Sequence, residues 1–482
     1  MTAPRAVADG ARPARAGERV GLAGAIVMGL SSSGPSQTLA VSLAALVAAS
    51  GYAGVLPVLV CFVPMLGIAV AYRRLNRWDP SAGATYTWVA RVFHPFLGFL
   101  SGWMILLYYT LGTTTLTIPA GIYTLALLAP AHIDDPLAIF LVGAGWNVLI
   151  GALAILGLKL VARVESGIVV FEYLVILGTA SVALAALVAG STAVHFSAQW
   201  FSWQGLGGMK GLMGGMLIAY FMYSGWDAAI YVNEETDDRR DHPGQAAVAS
   251  VLLLALVYAL ATFAFQAVLP AAALQAHAGN ALAAVGDRLL PRPWNAVMAL
   301  AVLGGTLASL QAAVVSAARV GHAMARDGVM PRFFRLTRPG SSNPWAATLA
   351  LSALNIVLLA LALGTTGIGA ALRNAASSLG LIAVVFYGLT AAAALWQSRA
   401  AWRTGAPGAL LAALLPLLGM TFSVGVLIES LRSGAVERPV LAYGLGSIAV
   451  GACAALILRA RHIEFFSAGS THAAPARSRT LP

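Results

Sequence analysis

Two acidic side chains stand inside apolar stretches where water has no ready access. Asp227 closes the run Tyr223-Ser224-Gly225-Trp226-Asp227, and Glu172 lies in Val169-Val170-Phe171-Glu172-Tyr173. A carboxyl at mid-membrane is costly and faces a cavity or a partner. Three roles are open to Asp227: binding an amine, carrying a proton, or capping a helix. Glu172 is a candidate proton carrier in a coupled cycle. The alternative is an acid hydrogen-bonded to a neighbouring helix, with Ser309 or Ser316 as the expected partner.

The stretch around Asp227 has a counterpart near the N-terminus. Ser31-Ser32-Ser33-Gly34-Pro35-Ser36-Gln37 interrupts an apolar run in its middle. Pro35 suits the first position of a helix, because its missing N–H would be unpaired there anyway. Ser33 or Gly34 would then be the cap. The half-helix beyond it points its positive dipole end into the bilayer centre. The N–H groups of Ser36 and Gln37, with the hydroxyls of Ser31, Ser32 and Ser33, can hold a substrate carboxylate. At the second break the carbonyls around Tyr223, Ser224 and Gly225 end a half-helix and suit an ammonium group. Trp226 stacks over substrate or serves as packing. A Pro kink satisfied by serine back-bonding is the plain alternative at the first break. Tyr108 and Tyr109 can put one ring toward a substrate path, with core packing as the stronger reading for them as for Gln311 and Tyr387; Thr113, Thr114 and Thr115 read as bonding back to their own helix.

Breaks like these need long apolar helices to hold them. The 482 residues are 59% hydrophobic and 10% charged, with a mean hydropathy of +0.81. A soluble domain carries roughly 25% charged residues, so the solvent here is a bilayer. About 20 apolar residues cross it. Spans are predicted at 21–48, 53–72, 97–128, 137–158, 166–190, 209–232, 244–269, 294–323, 345–364, 374–397, 406–430 and 439–459. The apolar runs are continuous and do not alternate, which selects helices over a barrel. The first and sixth spans run in opposite directions and break at matching points. That pattern predicts an inverted repeat of helices one to five and six to ten.

A net charge of +11 would suit a nucleic-acid partner, but the basic residues sit in short runs between spans. With the N-terminus inside, 23 of the 29 Lys and Arg fall on the inner side, as the positive-inside rule requires. Both termini are therefore expected in the cytoplasm of a multi-pass inner-membrane protein, with the lipid bilayer and a small molecule as partners and no nucleic acid. Residues 1–19 and 466–482 read as disordered tails, 20–190 and 209–398 as the two repeats of a transport core, and 399–465 as two accessory helices. Trp200 and Trp203 read as interface anchors, and the outer connection from Pro270 to Pro293 as a cap over the entrance. Cys61 and Cys453 read as small buried apolar residues. No metal or organic cofactor is expected.

Several motifs lie outside the spans. Pro80-Ser81-Ala82-Gly83-Ala84-Thr85-Tyr86 is followed by Gly102-Trp103. Asn233-Glu234-Glu235-Thr236 comes after Asp227, and Arg319, then Ala323-Met324-Ala325-Arg326-Asp327-Gly328 and Pro331, come at and after the end of the eighth span. Together they resemble the amino acid–polyamine–organocation transporters over nearly the whole chain, with Ala84 where that family's pattern has a second Gly. The resemblance implies a LeuT-like two-repeat fold, alternating access and a site between helices one and six. It also implies a coupling and gating role for Asp227, and puts Glu234 and Glu235 at the inner mouth. Glu172 stands where many sodium-independent members have a Lys, and Ser32-Ser33-Gly34-Pro35 replaces Gly-Ser-Gly-Ile. Both departures resemble the amino acid/choline branch, which widens the substrates to choline, GABA or polyamines. The coupling ion is expected to be a proton, and sodium is not expected to be needed.

The competing classes fare worse. A membrane-embedded enzyme would want paired acids or a His cluster, and Asp134-Asp135 and Asp237-Asp238 have no companion motif. A channel would want charged pore rings or a filter, and a sensor a soluble output domain.

Overall fold

The computed structural model describes residues 19–467 except 157, 278–279, 339–342, 366–367, 400–408, 433–437 and 462. The expected tails fall outside it, apart from Arg19, Phe466 and Ser467. Every regular element among the described residues is helical. In chain order they are α1 (Leu22–Ser33), α2 (Pro35–Ser50), α3 (Val55–Trp78), α4 (Thr85–Val92), α5 (Pro95–Leu128), α6 (Pro136–Leu156), α7 (Leu158–Val188), α8 (Gly208–Tyr223) and α9 (Ala228–Tyr231). Then come α10 (His242–Phe265), α11 (Ala271–Ala276), α12 (Ala281–Leu289), α13 (Ala296–Arg326), α14 (Trp345–Thr365), α15 (Ile368–Gln397), α16 (Ala409–Arg432), α17 (Arg438–Ala460) and α18 (Glu464–Ser467). Among the described residues, eight helical stretches are long and apolar enough to cross a bilayer, and three shorter apolar helices accompany them.

One contiguous buried cluster runs through the molecule, from Met28 and Leu39 near the start to Ala455 and Phe466 near the end. Large apolar side chains such as Leu137, Val170, Leu256 and Leu361 point outward, as a surface solvated by lipid tails permits. Packed against this core, α13 lies along α5, and α10 along α3. Of the interrupted helices, α1, α2 and α9 pack on α13, while α8 packs on α2, α3 and α15.

The connection from Pro270 contains α11 and α12, and it packs on α2, where Gln275 Nε2 donates to the Ala44 carbonyl at 2.7 Å. Trp200 differs from its expected role as an interface anchor. It is 4% exposed and stacks on Tyr52 at 5.9 Å, whereas Trp203 is exposed. Cys61 is buried as expected, but Cys453 is exposed, on the outward face of α17. Ala84 takes φ 42°, ψ −119° just before α4. That backbone favours glycine, which accounts for the glycine in the pattern this segment resembles.

Candidate substrate site

The first break is a single residue wide. Gly34, at φ 46° and ψ 73°, ends α1 in the left-handed conformation, and its N–H donates to the carbonyls of Leu30 and Ser31. Pro35 then opens α2. A Cβ on Gly34 would lie 2.1 Å from Ser309 Oγ of α13, so both its φ and the space around it demand glycine. The carbonyls freed near the break find side-chain donors. Ser309 Oγ donates to Ser31 O at 2.6 Å and Thr38 Oγ1 to Ser33 O at 2.7 Å.

The second break is wider. α8 stops at Tyr223, four residues turn, and the chain then makes only the single turn of α9 and a 3-10 turn at Asn233–Glu235. The predicted second half-helix is therefore much shorter than its counterpart α2. The chain leaves it to run beside the start of α1, where Val20 N donates to Glu235 O at 2.9 Å and Asp237 N to Val20 O at 3.0 Å. Gly225 (φ 104°) brings the two breaks into backbone contact. A Cβ there would lie 2.9 Å from the Ser32 carbonyl oxygen.

Asp227 is fully buried and accepts three tyrosine hydroxyls. Tyr387 Oη of α15 donates to Oδ1 at 2.7 Å, Tyr109 Oη of α5 to Oδ1 at 3.1 Å, and Tyr231 Oη to Oδ2 at 2.8 Å. Its side chain makes no cap hydrogen bond to α9, so the capping role drops out. Tyr387 does more than pack: its oxygen also accepts the Gly225 N–H at 3.2 Å, and its ring stacks on Trp226 at 5.4 Å. Trp226, fully buried against Tyr387 and edge-on to Tyr72, is a packing residue.

Glu172 meets a different partner from the one expected. Its Oε1 accepts from both the N–H and the Oγ of Ser36 at 2.7 Å each, in place of Ser309 or Ser316. Its Oε2 has no hydrogen-bond partner among the described residues. A second buried acid on α7 escaped the sequence reading. Glu165, seven residues before Glu172, is 2% exposed, neither of its oxygens has a hydrogen-bond partner among the described residues, and the Ser31 hydroxyl stands beside it. The seven-residue interval, two helical turns, was the available signal.

Where the breaks cross lies a cavity of about 50 Å³, several times the roughly 10–15 Å³ a single water requires. Ser32, Ser33, Gln37 and Thr38 line it from the first break, Ser224 from the second, and Tyr108 and Tyr109 from α5. Ser31, Gly34, Ser36, Tyr223, Gly225, Trp226, Asp227 and Glu172 stand behind this wall, not in it. Asp227 reaches the cavity through Tyr109.

Beyond the second break the chain is tied to its neighbours by ion pairs. Arg319 of α13 reaches Glu235 Oε1 through Nε at 2.7 Å and Nη2 at 2.6 Å. Arg326 Nη2 lies 2.8 Å from Glu234 Oε1, which also accepts from Ala82 N at 3.2 Å. Tyr86 Oη donates to Asp327 at 2.7 Å, and Arg77 pairs with Asp241. Burial works against the charged form of Glu234, but Arg326 and the Ala82 N–H hold its carboxyl below the usual range.

Comparison with known proteins bears on this geometry. The profile of a family described as amino acid permease matches residues 21–456. The chain is 27% identical over 340 residues to the low-affinity putrescine importer PlaP of Escherichia coli K12, covering 69% of this chain and 72% of that one. It is 25% identical to the branched-chain amino acid permease BcaP of Lactococcus lactis, covering 55% of this chain and 59% of that one. It is 23% identical to a methylthioribose transporter of Bacillus subtilis, covering 61% and 65%.

Proposed function

The chain belongs to the amino acid permease family, and from that premise we propose that it moves an amino acid or a related small amine across the cytoplasmic membrane by alternating access. It is a transporter and not a membrane-embedded enzyme. The proposed architecture is twelve spans with both termini inside, residues 20–190 and 209–398 forming two inverted repeats and 399–465 two accessory helices. Transport is driven by protons, as symport or exchange. Substrate sits between the serines of the first break and Ser224, with the wall behind them holding those groups in place. Asp227 couples and gates by moving the tyrosines it binds, and Glu172 carries the proton.

One observation supports this reading above the others. Two interrupted helices press backbone on backbone at Gly225 and Ser32, beside a polar cavity deep in an apolar molecule. Non-helical backbone is tolerated at membrane depth only where it is buried in protein or lines a water-filled cavity. The reading is tested by uptake into proteoliposomes with an imposed pH gradient, inside alkaline or inside acid. Substrate accumulation that tracks the gradient is expected, with Asp227→Asn reducing uptake and Glu172→Gln uncoupling it from pH. Wild-type uptake by Asp227→Asn, or a full pH response in Glu172→Gln, refutes the corresponding role. Uptake that demands sodium overturns the proton reading.

A further inference from the structure

We infer that the substrate is a cation without a carboxylate, an amine or polyamine rather than an amino acid. The inference rests on the transport reading above and narrows it. An amino acid needs somewhere to put its carboxylate, and in a broken-helix site the place for it is the N-terminus of a half-helix, where N–H groups converge. Here that terminus is the start of α2, and its donors are spent. Pro35 has none. The Ser36 N–H and hydroxyl both go to Glu172 Oε1. Gly34 N–H turns back onto Leu30 and Ser31, and Thr38 N–H closes on Gly34 O. Only the Gln37 N–H is left. The protein has filled the anion slot with its own carboxyl. That oxygen accepts whether or not the far oxygen bears a proton, so the slot stays filled through a proton cycle.

The cavity carries the second argument. Among the described residues no Arg, Lys or His lines it; its polar groups are hydroxyls and the Gln37 amide, set among the rings of Tyr108, Tyr109 and Phe221. Ring faces and hydroxyl oxygens attract cations. The acids behind its wall, Asp227 behind Tyr109, Glu172 behind Ser36 and Glu165 beside Ser31, offer an anion no positive charge in either protonation state. A carboxylate brought into this space would lose its water and find no compensating charge.

The test uses the full-length wild-type chain and matched pairs that differ only by the carboxyl: cadaverine against lysine, agmatine against arginine, and isopentylamine against leucine. Each is titrated against the purified protein by thermal shift, and the members that bind are followed by uptake into proteoliposomes. The expected result is that an amine stabilises the protein at a concentration on the order of tenfold lower than its parent amino acid. An amino acid that binds as tightly as its amine, or more tightly, overturns the inference and leaves the transport reading standing. Silence from every pair overturns both.

Discussion

Glu235→Gln should open the inner mouth, and the size of the effect can be worked from burial. Arg319 and Glu235 are 5% and 8% exposed, and one carboxylate oxygen takes two guanidinium donors. Removing the charge leaves the buried guanidinium without a counter-ion, facing only neutral acceptors among the described residues: the glutamine's own amide oxygen and the Val315 carbonyl at 3.3 Å. Breaking a buried pair by losing one partner costs about 3–5 kcal/mol. This pair retains a little solvent contact, so the lower figure, about 3 kcal/mol, applies to the closed arrangement. A loss of that size shifts the closed-to-open balance on the order of a hundredfold. The assay is thiol labelling at Val20→Cys in a Cys453→Ser background, since Val20 is 6% exposed and held between Glu235 and Asp237. Labelling should accelerate in Glu235→Gln and return most of the way in Glu235→Gln/Arg319→Met, where no charge is stranded. A double-mutant cycle apportions the pair. Unchanged labelling and melting temperature in the single variant, or a coupling below about 0.5 kcal/mol, would refute the claim that this pair holds the mouth shut.

Three further outcomes are expected from the same structure. Gly34→Ala should lose about 1–3 kcal/mol to its left-handed backbone and more to the clash with Ser309, so Ser309→Ala should restore only part of its melting temperature. Tyr387→Phe takes the shortest donor from Asp227 and the acceptor from Gly225 N–H; uptake should fall by an amount on the order of tenfold, while near-wild-type uptake would show that Asp227 does not act through this ring. The Glu234–Arg326 contact should be fully present above the ordinary carboxylate range near about 4 and be lost as pH falls through the depressed value, so Val20→Cys labelling in the parent, taken as a ratio to that in Glu234→Gln to cancel the thiol's own pH dependence, should rise in acid towards one.

The apolar helices were legible because lipid solvates nothing else, and the two breaks because Gly, Ser and Pro write their conformational demands into a few neighbouring positions. Helix content and the amino acid permease resemblance could be read for those reasons. The surroundings of Asp227 could not. Tyr109 and Tyr387 come from helices 118 and 160 positions away along the chain, and as single letters they look like core. Ser36 was legible as a donor but not as one already spoken for, because its acceptor Glu172 stands 136 positions away. The shortness of α9 was hidden too. The residues after Asp227 are apolar enough to continue a helix, and what stops them is the pairing of Glu235 and Asp237 with Val20.

The meeting of Gly225 with the Ser32 carbonyl has an evolutionary corollary. Substitution at Ser32 leaves its carbonyl in place, because every residue has one, whereas any side chain at Gly225 would intrude on it. The cavity beside this contact is lined by side chains, which substitution can rewrite. An arrangement that leaves this backbone contact fixed and puts its chemistry in the surrounding side chains can change what the cavity receives in few substitutions.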